Sequence, residues 1–573
     1  MTNSKANYGI AIKGPHKGMY TECRAQDMRT CSWHEPGTHK SLTAAKVRDL
    51  NKAIIESKAK KGNRSLKKSS EFDNGLRIRL DSGEEATLPL TDRAVRDLNR
   101  IMSVARMYDE SGLELSLVGG PVRDMLMGRE PHDFDMTSNA SVGYSTKTLR
   151  RWGDNFWNLG EKFGTVSAAT TNNRGEELKI EVTRYRGDSY DGKSRKPKVS
   201  WVSDIEDDLA RRDLTINSMA IMMSPHRPGE PFRLVDPFNG AEDLKNHVIR
   251  VPNGEWSKSF SDDPLRMMRA ARFLVTLDPD AKIDDDTLHG MRIMAGKIDH
   301  VSSERVRDEF TKTIEADDPE KAIRTLVDTG LMDHIIPEVS ELKKMDATSK
   351  GRHKPTFDHS LLVLRKAIAM EQQSKDISSP DDRLRLAALL HDVGKPRTRK
   401  FNGRKAVTFD GHEDVGASMV RKRLRAMRYD GAVVNDVTKL VQLHMRFHGY
   451  GDQGWTDSAV RRYVRNAGDM YERLNILTLA DTSTQKKGRL RRYHASMDDF
   501  QARVKRLKAH DDLEAIRPEV DGNTIMSVLG LKQGKEVGQV YRHMLNYRLD
   551  NGHVGRDAAL AEVKRYAREK GLS

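Results

Sequence analysis

Asp133 and Asp135, two positions apart with an apolar Phe134 between them, are the first residues of this sequence whose types and spacing suggest chemistry. On a strand, positions i and i+2 share a face, so both carboxylates point the same way while Phe134 packs behind them. Adjacent carboxylates repel, and they stay ionised comfortably only with cations beside them. That arrangement suits two Mg²⁺ ions, one activating a hydroxyl and one holding a triphosphate. Glu181, on the polar side of the alternating run ELKIEVTRY, is a candidate third carboxylate. Upstream, Gly119 and Gly120 end one apolar run and open a helical one. Their backbone amides could approach phosphates, with Arg123 one turn in to meet a phosphate oxygen. A lone D-x-D usually faces solvent and a lone glycine pair is usually a turn; the combination is what signals a site.

A second set of ligand-type side chains runs from residue 356 to 481: His359, the adjacent pair His391-Asp392, His412, His444 and Asp481. Each lies in or at the end of an apolar helical stretch, where a buried polar group needs a partner. One divalent metal, of unknown identity, would satisfy them together. Taken singly, each histidine reads more simply as a core or surface residue. A third cluster, Cys23, Cys31, His34 and His39, has zinc-type ligands at a spacing wide for a finger. Two unpaired thiols with surface histidines is the alternative there.

The elements that must position these groups follow from hydrophobic period. Residues 92–108 repeat apolar positions at three- and four-residue steps, which predicts a helix. LELSLVGG reads as a buried strand, FDMTS as a second and ELKIEVTRY as a third, so residues 110–225 should form a small mixed sheet with helices. From Asp262 onward the pattern is almost entirely helical. The fold class expected is an α/β head followed by a mostly α-helical body.

At 573 residues the chain should hold about three to five domains. Hydrophobic residues make up 37% and charged residues 32%, and no run approaches the roughly 18 apolar residues of a membrane span. The opening MTNSKANYGIAIKG lacks the apolar core of a signal peptide. Two cysteines exclude a disulfide scaffold and suit a reducing, cytoplasmic setting. The net charge of +15 points to a polyanionic partner, yet residues 1–70 hold 15 Lys/Arg against five Asp/Glu and so carry ten of that excess. That extension reads as a solvated tail or as an RNA-binding arm. RNA binding by the remaining body must rest on placed arginines.

The ordered segments GGPVRDMLMG…DFDMT, FGTV (163–166), EVTRYR (181–186), RRDLTINSMA (211–220), VDPFNGAEDL (235–244) and DDPLRMMRAARF (262–273) resemble the class II CCA-adding tRNA nucleotidyltransferase and bacterial poly(A) polymerase family. The resemblance implies in-line attack of a tRNA 3′-hydroxyl on the α-phosphate of CTP or ATP, with Asp133 and Asp135 carrying Mg²⁺ and Glu181 assisting. It implies that Arg212 and Asp213 hold the ribose and phosphates of the nucleotide. Asp263 and Arg266, three apart and so expected on one helix face, would read the base. Cytosine and adenine each show a ring acceptor beside an amino donor, which a donor-only guanidinium and an acceptor-only carboxylate match. Uracil and guanine would leave buried polar groups unpaired. Asp262 stands where many relatives have Glu. Arg269 and Arg272 continue the stripe towards triphosphate or the tRNA end. HDVGK (391–395) resembles the HD phosphohydrolase superfamily, implying a metal-dependent phosphohydrolase on RNA ends. The division expected is 1–74 basic extension, 75–225 nucleotidyltransferase head, 226–345 neck, 346–510 HD domain and 511–573 helical tail. Poly(A) synthesis, partial CC or A addition, and an HD phosphohydrolase with a merely RNA-binding head remain as alternatives.

Overall fold

The computed structural model describes residues 72–572 apart from 73–74, 132, 161–163, 190–197, 349–354, 403–405, 451–454, 483–486 and 510–515, together with three short strands, Asn7–Ile10, Tyr20–Cys23 and Ser32–Trp33. The cluster Cys23, Cys31, His34 and His39 lies outside the described residues, apart from the backbone of Cys23.

Nine strands build one mixed sheet: β1 (Leu76–Arg79), β2 (Glu85–Leu88), β3 (Leu115–Val118), β4 (Phe134–Ser138), β5 (Asn155–Gly160), β6 (Thr165–Thr171), β7 (Glu177–Arg184), β8 (Ala220–Ser224) and β9 (Phe232–Val235). Their spatial order is β2-β1-β9-β8-β3-β4-β7-β6-β5. β3 is buried on both faces, whereas β7 alternates, with Leu178, Ile180 and Val182 in the core. β7 pairs with β4 in parallel, in a register that sets Glu181 beside Asp135. The sheet extends past residue 225 to include β9, so the expected head boundary falls inside it. The cause is an in-register antiparallel pairing of Ala220 and Ile221 with Val235 and Leu234.

Helices follow in chain order: α1 (Asp92–Asp109), α2 (Gly120–Leu126), α3 (Val142–Trp152), α4 (Ile205–Ala210), α5 (Trp256–Asp262), α6 (Leu265–Thr276), α7 (Ser303–Ile314), α8 (Thr356–Glu371), α9 (Asp382–Leu390), α10 (His412–Ala426), α11 (Gly431–Leu443) and α12 (Tyr471–Asp481). Thr91 starts α1, its hydroxyl accepting the Ala94 N–H at 3.2 Å. A single apolar cluster is continuous from Phe72 in the head through the neck to α12 and beyond. The C-terminal helices Gly522–Leu529, Lys535–Asn551 and Arg556–Lys570 pack around a separate small core that includes Val540, Met544 and Val563.

Two polar ties join the parts. Arg129 donates to the carbonyls of Thr276 and Leu277 at the end of α6. Deeper, the fully buried Arg385 of α9 pairs with the fully buried Glu371 of α8 at 2.8 Å. The same guanidinium donates to the carbonyls of Ile314 and Ala316 at the end of α7, at 3.1 and 2.8 Å. A buried guanidinium is tolerable only when its donors are met in this way.

Candidate functional site

Gly119, Gly120, Arg123, Asp135, Arg211, Arg212, Asp213, Asn217, Asp263, Arg266, Arg269, Arg272 and Phe273 line a cavity of about 430 Å³ between the sheet and α6. Six of these are arginines and three are aspartates, so the lining carries a positive excess suited to a polyphosphate. Gly119 has φ +77, and a Cβ there would stand 3.3 Å from Nη1 of Arg212. Its N–H donates to the carbonyl of Met219 at 3.2 Å, so Gly119 contributes clearance here and not the phosphate-facing amide expected of it.

The arginines are held before any ligand arrives. Arg123 donates to Asp124 at 2.7 Å and to Asn217 at 2.8 Å. Arg212 and Arg211 both meet the fully buried Asp208, at 3.2 and 2.7 Å, which also accepts from Thr137. Burial would raise the Asp208 carboxyl, but the two guanidinium groups outweigh it and hold it low. Phe273 lies among Arg123, Arg269 and Arg272, whose guanidinium carbons stand 5.1, 5.7 and 4.6 Å from its ring centre. Hydrophobic period reads Phe273 as core, which it is, and does not reveal this second contact.

Three expectations change. Asp213 does not offer a free carboxylate to the nucleotide: it accepts from Arg269 at 2.7 Å, from Asn217 at 3.0 Å and from the Leu214 N–H at 2.9 Å. Burial acts to raise this carboxyl, and Arg269 overcomes it, bringing the pKa down to about 2. Asp213 is therefore placed to position Arg269. Second, Asp263 does not share a helix with Arg266. It is an extended residue, φ −143 and ψ 98, at the junction of α5 and α6, and the following Pro264 disfavours a helical conformation there. One of its oxygens accepts the Leu265 N–H at 3.2 Å and the other accepts from Arg305 at 2.7 Å. Arg266 is fixed by Ser259 Oγ at 2.9 Å and the Arg211 carbonyl at 2.5 Å. Both still face the cavity, and each keeps unused hydrogen-bonding capacity. Third, Arg272 is not a free cation: Glu309 on α7 accepts from it at 2.5 Å.

At the cavity rim Asp135 and Glu181 lie side by side in register, and Asp133 directly precedes β4. Removal of water by the surrounding protein raises Asp135, Arg212 opposes this, and Glu181 and Asp133 add to it. An acidic group so strained by its neighbours fits oxygen-liking Mg²⁺. Glu181 pairs with Lys179 at 2.6 Å, a cation that sequence reading passed over.

The second constellation assembles at helix ends. His359 comes from α8, His391-Asp392 follows α9, His412 opens α10, His444 follows α11 and Asp481 ends α12. Their donor atoms gather into two groups, His359, His391 and Asp481, and Asp392, His412 and His444, where one metal was expected. Asp392 faces both: one oxygen is 3.2 Å from His391 Nε2 and the other 3.3 Å from His412 Nε2. His391, His412 and His444 each direct Nδ1 to the carbonyl three residues back, at 2.9, 2.9 and 2.6 Å. Nε2 of all three is buried without a hydrogen bond. This fixes the tautomer that presents a lone pair inward, as metal ligation requires. Burial pulls His391 down, but Asp392 and Asp481 lift it to about 10; His444 is driven down to about 3 by burial and by His391. A metal cation would hold all these histidines neutral. Lys395 donates to Asp392 at 2.5 Å. Gly394 packs where a Cβ would lie 2.1 Å from the His412 carbonyl, so only glycine lets this loop meet α10.

The sequence matches the Poly A polymerase head domain over residues 115–250, the "Probable RNA and SrmB- binding site of polymerase A" over 280–343 and the HD domain over 356–484. An A-adding tRNA nucleotidyltransferase of Deinococcus radiodurans is 31% identical over 470 residues, covering 79% of this chain and 96% of the relative. A multifunctional CCA protein of Verminephrobacter eiseniae is 30% identical over 343 residues, covering 59% and 75%. The fold is shared with the Thermotoga maritima CCA-adding enzyme in its tRNA complex, with a TM-score of 0.52, 21% identity and coverage of 83% and 96%. Among the described residues no helix is long and apolar enough to cross a membrane. The chain belongs to the tRNA nucleotidyltransferase and poly(A) polymerase family, in the form that carries an HD domain behind the neck.

Proposed function

We propose that the protein adds CMP and AMP to the 3′ end of tRNA from CTP and ATP, without a template, in the cytoplasm. The observation that carries this reading is the arginine-rich cavity that has Asp263 and Arg266 at one side and Asp135 at its rim. Asp133, Asp135 and Glu181 would hold Mg²⁺, which when bound supplies charge neutralisation and lowers the pKa of the attacking hydroxyl. Arg212 and Arg269 then hold the phosphates, with Asp208 and Asp213 orienting them. Gly119 leaves the space for Arg212, Gly120 and Arg123 bound the cavity beside it, and Arg272 borders it next to Arg123 across the Phe273 ring. Asp263 accepts from the amino group of C or A while Arg266 donates to the ring nitrogen.

The test is incubation with tRNA lacking its 3′ end, Mg²⁺ and each labelled nucleotide, read as product length on a sequencing gel. Addition of CCA that stops in Asp133→Ala supports the reading, a long A tail replaces it with poly(A) synthesis, and absence of incorporation refutes it. Addition of A alone is the second reading, because the relative matched along 96% of its length is an A-adding enzyme. In that case tRNA ending in CC is extended and tRNA lacking all three residues is not.

For the HD domain we infer a metal-dependent phosphohydrolase acting on RNA ends. His359, His391, Asp392, His412, His444 and Asp481 would hold the metal, its bound water supplying the nucleophile. Opening of 2′,3′-cyclic nucleotides to the 2′- or 3′-monophosphate should persist in Asp133→Ala and vanish in His391→Ala. We also keep the division into extension, head, neck, HD domain and tail, with the head carried through β9. Limited proteolysis should cleave between these parts before it cleaves within them.

A further inference from the structure

The nucleotide cavity occupies one side of Asp135, against β3, β4 and α6. The same face of the sheet continues on the other side across β7, β6 and β5. The strand register sets Asp135 beside Glu181, Glu181 opposite Ser167, and Ser167 opposite Trp157. Neighbours paired in this way point to the same face, so one row runs from the acidic centre to the sheet edge and ends in a tryptophan. Alternation along β5 agrees: Phe156 turns to the core side, with Arg150 over its ring, and Trp157 is 39% exposed. At about 4.8 Å per strand, Trp157 lies about 10 Å from Glu181 and about 14 Å from Asp135, measured along the row.

Phosphoryl transfer sets attacking and leaving oxygens roughly in line, on opposite sides of the phosphorus. With the triphosphate among the arginines, the strand bearing the attacking hydroxyl has to arrive over β7, β6 and β5. Its last nucleotides are single-stranded there, and their bases need a surface to replace the lost stacking. An exposed aromatic ring provides one without regard to base identity. We propose that Trp157 is the platform on which a base near the RNA 3′ terminus stacks while its hydroxyl is presented beside Glu181. This rests on the nucleotidyl-transfer reading of the head.

The test uses the full chain and a tRNA acceptor-stem RNA carrying 2-aminopurine as its 3′-terminal base, titrated without nucleotide. Quenching is expected with wild type and Trp157→Phe, and binding about ten-fold weaker with little quenching in Trp157→Ala. In steady state with tRNA lacking its 3′ end, Trp157→Ala should raise the KM for RNA about ten-fold and leave the KM for CTP unchanged. Equal melting temperatures of the three proteins exclude a folding defect. Unaltered quenching and RNA KM in Trp157→Ala overturn the proposal, as does an equal rise in both KM values. If no variant incorporates any nucleotide into tRNA lacking its 3′ end or into tRNA ending in CC, the transfer reading fails, and the quenching still decides whether Trp157 is the platform.

Discussion

Asp213 meets Arg269, Asn217 and a backbone N–H at once, so replacing it removes the group that aims Arg269. In Asp213→Asn the KM for CTP and ATP is expected to rise about ten-fold, with RNA affinity unchanged, as measured by nucleotide titration at saturating tRNA. The same contact has a pH signature. The carboxyl titrates at about 2 in the fold against 3.8 for an ordinary aspartate, so its ionised form stabilises the protein above that range, and the benefit is lost as pH falls from about 4 towards 2. Urea denaturation should show Asp213→Asn less stable than wild type by about 2 kcal/mol at pH 7, with the gap closing near pH 2. Arg305 holds Asp263, the carboxylate proposed to read the base. Arg305→Ala frees one oxygen of Asp263 from its 2.7 Å partner and should lower kcat/KM for C and A addition about five-fold while uridine misincorporation rises. Wild-type rates for C and A with no added uridine incorporation in that variant would contradict the role.

Elements decide which of these residues meet. Gly119 joins β3 to α2 at φ +77, and its missing side chain leaves room for Arg212. Gly119→Ala should therefore cost about 1–2 kcal/mol in thermal denaturation and raise the nucleotide KM. At the helix ends of the HD region, three histidines presenting bare Nε2 atoms predict a metal-dependent rise in melting temperature with Mn²⁺ or Zn²⁺. That rise should disappear in His391→Ala. Much of this level was legible in the sequence: the 3.6-residue period of α1, the alternation of β7 and the runs that became β3 and β4 all follow from apolar spacing. Three-residue spacing puts Asp263 on a helix with Arg266, and Pro264 next to it is the signal against this, since a residue before proline is biased away from helix. Asp208 was passed over because an acid three and four residues before Arg211 and Arg212 looks like surface charge until the helix buries it. The splitting of the six HD-region ligands into two groups depends on which way Asp392 faces, and spacing does not report that.

At the scale of the whole molecule, strand order and the joints between parts were not legible, because both depend on contacts far apart in sequence. β9 reaches β1 across more than a hundred residues of chain, and Arg385 reaches the end of α7. Arg385→Met should destabilise the protein by about 3–5 kcal/mol in urea, since it strands the buried Glu371; adding Glu371→Leu should restore most of it. Recovery absent from the double variant would show that the ties to the α7 carbonyls, and not the ion pair, dominate.

Arg385 also bears on the order of events at an RNA end. With α7, α8 and α9 locked together by one guanidinium, and Arg129 holding the end of α6 to the head, the nucleotide cavity and the HD-region histidines stand at a set distance on one frame. If the HD site acts on RNA ends as proposed, a 3′ end trimmed there cannot be carried across by a swinging domain. It must dissociate and be captured again, so an excess of unlabelled tRNA added mid-reaction should intercept the trimmed species before a single nucleotide is joined to it.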